Sequence, residues 1–253
     1  MRGALPPEGP PHFELRVLPD PPGAAEAAAR ELVAASVDAF RDHGAFRPAF
    51  SGGSTPRLLY EMLATAAFRP LVDWTRARIF FVDERCVPPD DRRSNYRLAK
   101  EHLLDPLRIP EENVFRMRGE KEPARAADEY EAVLRAELAR GDHVPRFDFV
   151  LLGLGPDGHT ASLFPGTDAL EEAARWVAAN HVPKLNEWRL TLTPPVLNAA
   201  RRAVFFVVGR EKSDVVAQVL RAERPDPGLP ASLVRPTDGS LIWIVDQAAA
   251  GEL

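Results

Sequence analysis

A histidine held between glycines is the residue of this sequence best suited to acid–base chemistry. The segment Gly153–His159 reads GLGPDGH and follows the apolar run FDFVLL. A histidine is the side chain whose neutral form can take a proton near pH 7, and Asp157 lies two residues before it. Isolated histidines are more often structural, but a tight loop at the end of a strand favours catalysis. We therefore predict His159 as a general base with Asp157 as its acidic neighbour.

The same segment carries the glycine spacing of a dinucleotide fingerprint, at Gly153, Gly155 and Gly158. Two residues argue against that function. Asp157 would lie where the pyrophosphate must bind, and Pro156 lacks the amide N–H that a phosphate needs. A nicotinamide dehydrogenase is therefore an alternative that would require measurable dinucleotide binding.

A second candidate loop, SGGST, lies between a predicted strand end and a predicted helix start. Glycine allows close backbone approach, and free amides at a helix start attract anions. Phosphate would fit such a loop, and the predicted binding residues are Gly52, Gly53, Ser54 and Thr55. A plain glycine turn capped by serine is equally compatible with the pattern. The loop is not a P-loop, since no lysine precedes its serine and threonine.

A third candidate is the charged triplet Asp83-Glu84-Arg85, directly after the apolar run RIFFV. The Arg85 guanidinium could bind a phosphate, and Asp83 could orient it or accept bonds from sugar hydroxyls. The alternative is an ordinary solvated strand end, which charges after an apolar strand usually mark.

Other chemistries have little support. No Gly-Xaa-Ser-Xaa-Gly motif is present, so we interpret Ser162 as a helix-start residue rather than a nucleophile. Cys86 is the only cysteine, which excludes an internal disulfide, and we expect its thiol to be inert. The six histidines contain no HExxH motif and no close pair. We predict no metal and no cofactor.

The elements that must position these loops alternate between strands and helices. An α/β fold follows, with a mostly parallel, doubly wound sheet, helices on both faces and a ligand site at the carboxyl ends of the strands. Gly44 is predicted to end the first helix and Ser94 to cap the third. The predicted strands are 13–18, 49–50, 78–82, 147–152, 188–192, 203–208 and 241–245, and the predicted helices are 24–40, 56–63, 95–104, 122–138 and 212–220.

Composition narrows the possible partners. The 253 residues are 45% hydrophobic and 27% charged, with a formal net charge of −5, so no basic surface for nucleic acid or an anionic membrane is expected. No stretch approaches the ~18 apolar residues of a membrane span. We predict a cytoplasmic protein that binds a small molecule, with a proline-rich head at 1–12 and a single domain at 13–253.

Together the motifs resemble one known family. SGGSTP at 51–56, FVDER at 81–85 with SNY at 94–96, GLGPDGHTASLFPG at 153–166, TLTPPVLNAARRAVFFVVGREK at 191–212 and LPAS at 229–232 are similar to 6-phosphogluconolactonases. The resemblance implies hydrolysis of 6-phospho-D-glucono-1,5-lactone to 6-phospho-D-gluconate in the oxidative pentose phosphate pathway, without a metal. It also implies a fold related to the amino-sugar phosphate deaminases and to ribose-5-phosphate isomerase.

The resemblance assigns roles to the candidate residues. The amides of 52–55, with Arg85 and Lys212, would bind the 6-phosphate, and His159 would activate a water while Asp157 orients the ring or the substrate. Whether Arg189 or Arg210 shares the phosphate stays open, as does the choice between a monomer and a small homo-oligomer.

Two other functions fit parts of the pattern. Glucosamine-6-phosphate deaminases share the glycine–histidine segment but carry a glutamate five residues after the histidine, where this chain has Phe164. An apolar side chain cannot relay a proton, which favours the lactonase. A non-catalytic sugar-phosphate sensor is the third alternative, but no DNA-binding helix-turn-helix pattern accompanies the site residues.

Overall fold

The computed structural model describes residues 12–138 and 143–253. Within those residues the strands are β1 (Glu14–Leu18), β2 (Pro48–Phe50), β3 (Phe80–Phe81), β4 (Asp83–Arg85), β5 (Phe149–Leu152), β6 (Val177–Val182), β7 (Glu187–Leu192), β8 (Arg202–Val207) and β9 (Ser240–Asp246). The α-helices there are α1 (Pro21–His43), α2 (Ser54–Leu63), α3 (Asn95–Ala99), α4 (Asp105–Leu107), α5 (Pro123–Leu138), α6 (Pro194–Asn198), α7 (Ser213–Leu220) and α8 (Gln247–Ala250). Of the predicted head, residues 1–11 lie outside the described residues, and the single domain at 13–253 stays a prediction.

Six strands form a parallel sheet in the order β1-β9-β8-β5-β2-β3. Side chains alternate between its two faces because successive residues of a strand point to opposite sides. Phe149 and Leu151 pack with α1 and α2 on one face, whereas Val150 and Leu152 pack with α5 and α7 on the other. The predicted α/β fold, mostly parallel and covered by helices on both faces, is confirmed.

The strand order places a crevice between β2 and β5. After β2 the chain builds β3 on one side, and it then returns to pair β5 with the other side of β2. Ligands of open parallel sheets bind outside the carboxyl ends of the strands at such a reversal. The loops that follow β2 and β5 are the two glycine-containing loops, SGGST and GLGPDGH.

A second, antiparallel sheet in the order β4-β7-β6 packs beside the first. Val82 links the two sheets, since its N–H donates to Phe50 O and its carbonyl accepts from Leu192 N. The predicted strand 78–82 is shorter, Phe80–Phe81, and the prediction of a loop at 83–85 was wrong, because Asp83–Arg85 is a strand itself. Strand β6 was not predicted at all.

Local signals for helix ends were read correctly. Gly44 adopts a left-handed φ of 81° and ends α1, because glycine enters that region without a steric cost. Ser94 caps α3 by accepting the Arg97 N–H at 3.1 Å. The predicted helix 95–104 continues beyond Ala99 as a π-helical segment, Lys100–Leu104. Helix α2 begins at Ser54, two residues earlier than predicted, and α7 begins at Ser213 after a 3₁₀ turn, Arg210–Lys212.

Candidate active site

A cavity of about 540 Å³ opens at the carboxyl ends of β2 and β5. Its wall comes from the loops after β2, β5 and β8 and from strand β4. The predicted site residues that line it are Gly52, Gly53, Ser54, Thr55, Asp83, Arg85, His159 and Lys212. Asp157 does not line the cavity, but its carboxylate contacts Nδ1 of His159. The structure thus brings residues of four separate sequence segments to one cavity.

One end of the cavity has open amide groups. Helix α2 begins directly after Gly53, whose φ of +119° needs glycine, and no side chain of the described residues caps it. The amides of the first turn are therefore available, and the helix dipole adds partial positive charge there. Ser51 holds the loop on the sheet, because its Oγ donates to Leu151 O at 2.7 Å and its carbonyl accepts from the Tyr60 hydroxyl.

Two cations reach the same cavity without a carboxylate partner. Among the described residues, neither Arg85 nor Lys212 forms an ion pair, although the Arg85 guanidinium donates to the Arg93 carbonyl. The chain's other lysines are each paired with a carboxylate: Lys100 with Asp105, Lys121 with Glu129 and Lys184 with Asp157. Unpaired cations beside open amides suit a dianion such as a phosphate ester.

The ring of His159 is held on three sides. Its Nδ1 lies 2.5 Å from Asp157 Oδ1, and since a carboxylate only accepts, Nδ1 carries the hydrogen and Nε2 the lone pair. One ring face lies on Gly155, where an added Cβ would meet ring atoms at 2.0 Å. Phe164 stacks on the ring with centroids 4.0 Å apart and an interplanar angle of 26°. Tautomer and orientation are both set before any ligand arrives.

The surroundings keep His159 neutral. Burial lowers its pKa to about 4; Asp83 opposes that shift, while Lys212, Arg189 and Arg85 add to it. The imidazole is therefore unprotonated at pH 7, as a general base must be. The side chain keeps a quarter of its surface exposed, so a ligand or a water can reach it.

Glu84 explains why the DER and SNY motifs occur together. Its buried carboxylate accepts from the N–H groups of Arg85, Asn95 and Tyr96 and from Ser94 Oγ, at 2.7–2.9 Å. Burial raises the pKa of this carboxyl, and the four bonds oppose that shift. Glu84 thereby fixes the start of α3 against strand β4, and this holds Arg85 at the cavity.

Asp83 is tied into the same network. Its Oδ2 accepts from Ser162 Oγ at 2.7 Å and its Oδ1 from Asn95 Nδ2 at 3.0 Å. Ser162 is buried in the loop after His159, so its interpretation as a helix-start residue was wrong. Asp83 still lines the cavity, and its role toward a ligand stays a prediction.

The remaining candidate groups give no other chemistry. Burial raises the pKa of the Cys86 thiol to about 11, in keeping with the expected inert cysteine. In the described part of the chain, no group of three or more His, Cys, Asp or Glu side chains is arranged to hold a metal ion. No helix there is long and apolar enough to cross a membrane.

Two residues near His159 received no assigned role from the sequence. Arg189, left open as a phosphate ligand, is a buried residue of β7 that lowers the His159 pKa. Lys184 lies in the 3₁₀ turn Pro183–Leu185 between β6 and β7 and pairs with Asp157. No sequence motif indicates a role for Lys184, because its contact with Asp157 depends on the β6–β7 hairpin. Arg210 is not among the residues that line the cavity.

Comparison with known proteins agrees with this geometry. The family described as "Glucosamine-6-phosphate isomerases/6-phosphogluconolactonase" matches residues 19–243. The chain belongs to this family. Among its relatives, the 6-phosphogluconolactonase of Homo sapiens is 42% identical over 210 residues, which cover 81% of this chain and 80% of the relative. That of Nostoc sp. is 38% identical over 243 residues, covering 94% and 98%. The predicted resemblance to 6-phosphogluconolactonases is confirmed, and these relatives support a lactone-hydrolysing enzyme.

Solved structures show the same fold within this family. The 6-phosphogluconolactonase of Trypanosoma brucei superposes with a TM-score of 0.85 at 30% identity, covering 96% of this chain and 99% of that one. A monomeric glucosamine-6-phosphate deaminase reaches a TM-score of 0.77 at 17% identity, covering 94% and 99%. That second likeness concerns the fold alone.

Proposed function

We propose that this chain hydrolyses 6-phospho-D-glucono-1,5-lactone to 6-phospho-D-gluconate, with His159 as the general base. One observation carries the proposal: the same cavity has open amides and unpaired cations in its wall together with a neutral, oriented imidazole. A phosphorylated sugar whose reacting carbonyl lies away from its phosphate matches both features. The names of the relatives support this substrate.

Binding would begin at the phosphate. The amide N–H groups of residues 52–55 at the start of α2 donate to the phosphate oxygens, and Arg85 and Lys212 neutralise the charge of these oxygens. Asp83 accepts bonds from sugar hydroxyls, since a carboxylate has more lone pairs than its two protein donors use. The lactone carbonyl is then held near His159, and this positioning supplies much of the rate.

The chemical step needs one proton to move twice. His159 Nε2 takes a proton from a water while the water oxygen bonds to the lactone carbonyl carbon. The tetrahedral intermediate then breaks its bond to the ring oxygen, which receives the proton from the imidazolium. Asp157 stabilises the imidazolium through the Nδ1–H bond, as a carboxylate does in other Asp–His pairs. Backbone amides of the 153–159 loop, or a guanidinium, bind the developing oxyanion.

These steps use only side-chain and backbone groups, and we propose that they need no metal. A general base contributes about 10²–10⁴-fold in rate. A δ-lactone already hydrolyses in water without a catalyst, so a general base and oxyanion donors suffice for this reaction. The cytoplasmic location, the absence of nucleic-acid partners and the oligomeric state stay predictions.

Proton release tests the proposal directly. At pH 7 each hydrolysed lactone yields a carboxylate and one proton, so titration at constant pH measures turnover after the spontaneous rate is subtracted. We expect rapid turnover of the phosphorylated lactone and a much higher KM for glucono-1,5-lactone, which lacks the phosphate.

Ammonia release from glucosamine 6-phosphate tests the rival deaminase. Its absence is expected, because Phe164 stacks on His159 where those enzymes carry a glutamate. Deamination without lactone turnover would overturn the proposal.

A further inference from the structure

Lys184 contacts two of the three groups that hold the His159 ring. Its ammonium pairs with Asp157 Oδ2, while Asp157 Oδ1 accepts from His159 Nδ1. The same ammonium lies 4.9 Å from the ring centroid of Phe164, whose ring stacks on His159. One cation therefore contacts the hydrogen-bond acceptor of the imidazole and also the aromatic ring that covers it.

Lys184 lies in the turn of the β6–β7 hairpin. Both strands belong to the antiparallel sheet that also carries Asp83 and Arg85 on β4, so the turn with Lys184 is attached to the same sheet as those residues. The turn at the hairpin tip ends at Asn186, whose left-handed φ of 50° closes it. Lys184 thus lies at the end of the three-stranded antiparallel sheet, whereas His159 follows β5 of the parallel sheet.

We propose that Lys184 is a positioning residue for the general base, which acts by fixing Asp157 and Phe164 around the His159 ring. Lys184 has no direct role toward the substrate in this proposal. The activity measurements below rest on the proposed lactonase function, whereas the titration measurement does not.

Removing this ammonium changes the charge balance around the imidazole in a known direction. Asp157 would keep its full negative charge for the Nδ1–H group, which favours the imidazolium, and a nearby cation would be lost. Both changes raise the pKa of His159. The other charged groups that face the ring or line its cavity stay in place: Asp157 on its own loop, Asp83 and Arg85 on β4, Arg189 on β7, and Glu211 and Lys212 after β8.

The test compares three variants. Lys184→Met removes the charge but keeps an unbranched chain, and Lys184→Arg keeps the charge. Lys100→Met is the matched control, because Lys100 pairs with Asp105 and its side chain is 50% exposed, against 49% for Lys184. Circular dichroism first establishes that all three are folded.

Steady-state kinetics should separate positioning from binding. For Lys184→Met we expect kcat to fall about 10- to 100-fold, as misplaced catalytic groups do, with KM changed less than about twofold. The acid limb of kcat/KM, measured with glucono-1,5-lactone so that no substrate phosphate titrates, should move up by about one pH unit. Lys184→Arg should restore both values, and Lys100→Met should match the wild type. An unmoved acid limb would overturn the proposal, and so would a rise in KM as large as that of Lys212→Ala, which would mean direct binding of substrate.

Histidine titration by NMR gives an independent readout without substrate. The His159 signal is assigned by its loss in His159→Ala, and its midpoint should rise in Lys184→Met but not in Lys100→Met. If wild-type protein hydrolyses no lactone, the proposed function fails while this titration still decides the role of Lys184. An unchanged midpoint in Lys184→Met refutes that role.

Discussion

Gly52 has no room for a side chain, and its replacement by alanine should damage both stability and phosphate binding. An added Cβ would lie 1.8 Å from Asn95 Oδ1 and 2.3 Å from its Cγ. Asn95 is 2% exposed and cannot swing away freely. Its Nδ2 donates to both Asp83 O and Asp83 Oδ1 at 3.0 Å, and its N–H donates to Glu84 at 2.7 Å.

The cost of Gly52→Ala follows from these contacts. Overpacking of a filled site costs about 1–3 kcal/mol. A displaced Asn95 amide also loses its bond to the Asp83 carboxylate, and bonds to charged groups contribute about 1.5–3 kcal/mol. The lower entropy of the unfolded alanine chain returns about 0.4–1 kcal/mol. The free energy of unfolding should therefore fall by about 1.5–5.6 kcal/mol, and KM should rise because the phosphate loop moves.

Gly53→Ala is the matched control, because its cost has a different origin. The nearest atom to a Cβ at residue 53 is Pro56 Cδ at 3.7 Å, so space is available, but φ is +119°. Strain of that kind costs about 1–3 kcal/mol. The two glycines are adjacent, yet only Gly52 should depend on Asn95.

A double-mutant cycle measured by urea unfolding separates the two origins. Asn95→Ala removes the atoms that Gly52→Ala meets within 2.5 Å and leaves the Asn95 Cβ at 3.0 Å, a distance that a small shift relieves. The double variant should be more stable than the sum of the single losses predicts, by at least about 1 kcal/mol. Gly53→Ala with Asn95→Ala should be additive within about 0.5 kcal/mol. Additivity in the Gly52 cycle would refute the steric argument.

Three further outcomes are expected. His159→Ala should lower kcat by about 10²–10⁴-fold with KM nearly unchanged in steady-state kinetics, and wild-type turnover by this variant would exclude His159 as the base. Arg85→Ala and Lys212→Ala should each raise KM about 10- to 100-fold, because each loses a charge-assisted bond to the phosphate; an unchanged KM for the phosphorylated lactone would place the anion elsewhere. Dialysis against a chelator should leave kcat unchanged, and a loss that Zn²⁺ restores would contradict the proposed metal-free mechanism.

The parts of the fold that could be predicted are those with short-range signals. Gly44 and Ser94 mark helix ends through their own backbone and side-chain chemistry, and the apolar runs of β5 and β8 show buried strands. The two glycine loops follow strands, so their shared edge of the sheet could be inferred from the α/β pattern alone.

Strands β4 and β6 of the second, antiparallel sheet lacked such signals, although β7 was predicted at 188–192. Strand β4 consists of Asp83, Glu84 and Arg85. Charged residues after an apolar strand normally indicate that the chain leaves the core for the solvent. Here the carboxylates are buried because protein donors satisfy them: those of Glu84 lie within 12 residues, but Ser162, which bonds to Asp83, is 79 residues away in the chain. Pairing at that separation depends on tertiary structure and leaves no periodicity in the sequence, so Lys184 could not be placed either.

The cations proposed to bind the phosphate should also make the pKa of His159 depend on whether the phosphate is bound. Arg85 and Lys212 lower the pKa of His159 in the free protein, where it is about 4. A phosphate dianion between them would cancel their charge and raise that pKa by about one unit. For the phosphorylated lactone, kcat/KM also reports the second ionisation of the free phosphate, at about pH 6, so the free enzyme is followed by kcat/KM for glucono-1,5-lactone. The acid limb of kcat for the phosphorylated lactone reports the bound complex and should lie at higher pH than that reference.

The unphosphorylated lactone provides the control for this coupling, because it brings no charge to the cations. With glucono-1,5-lactone the acid limbs of kcat and kcat/KM should coincide, while the acid limb of kcat for the phosphorylated lactone should lie about one pH unit above both. Activity recovered at pH 7 after each acid incubation excludes unfolding as the cause. Equal limbs for both lactones would show that the phosphate does not bind at Arg85 and Lys212, or that these cations do not act on His159. A base that gains strength only when the phosphate is bound would favour the phosphorylated substrate in kcat as well as in KM.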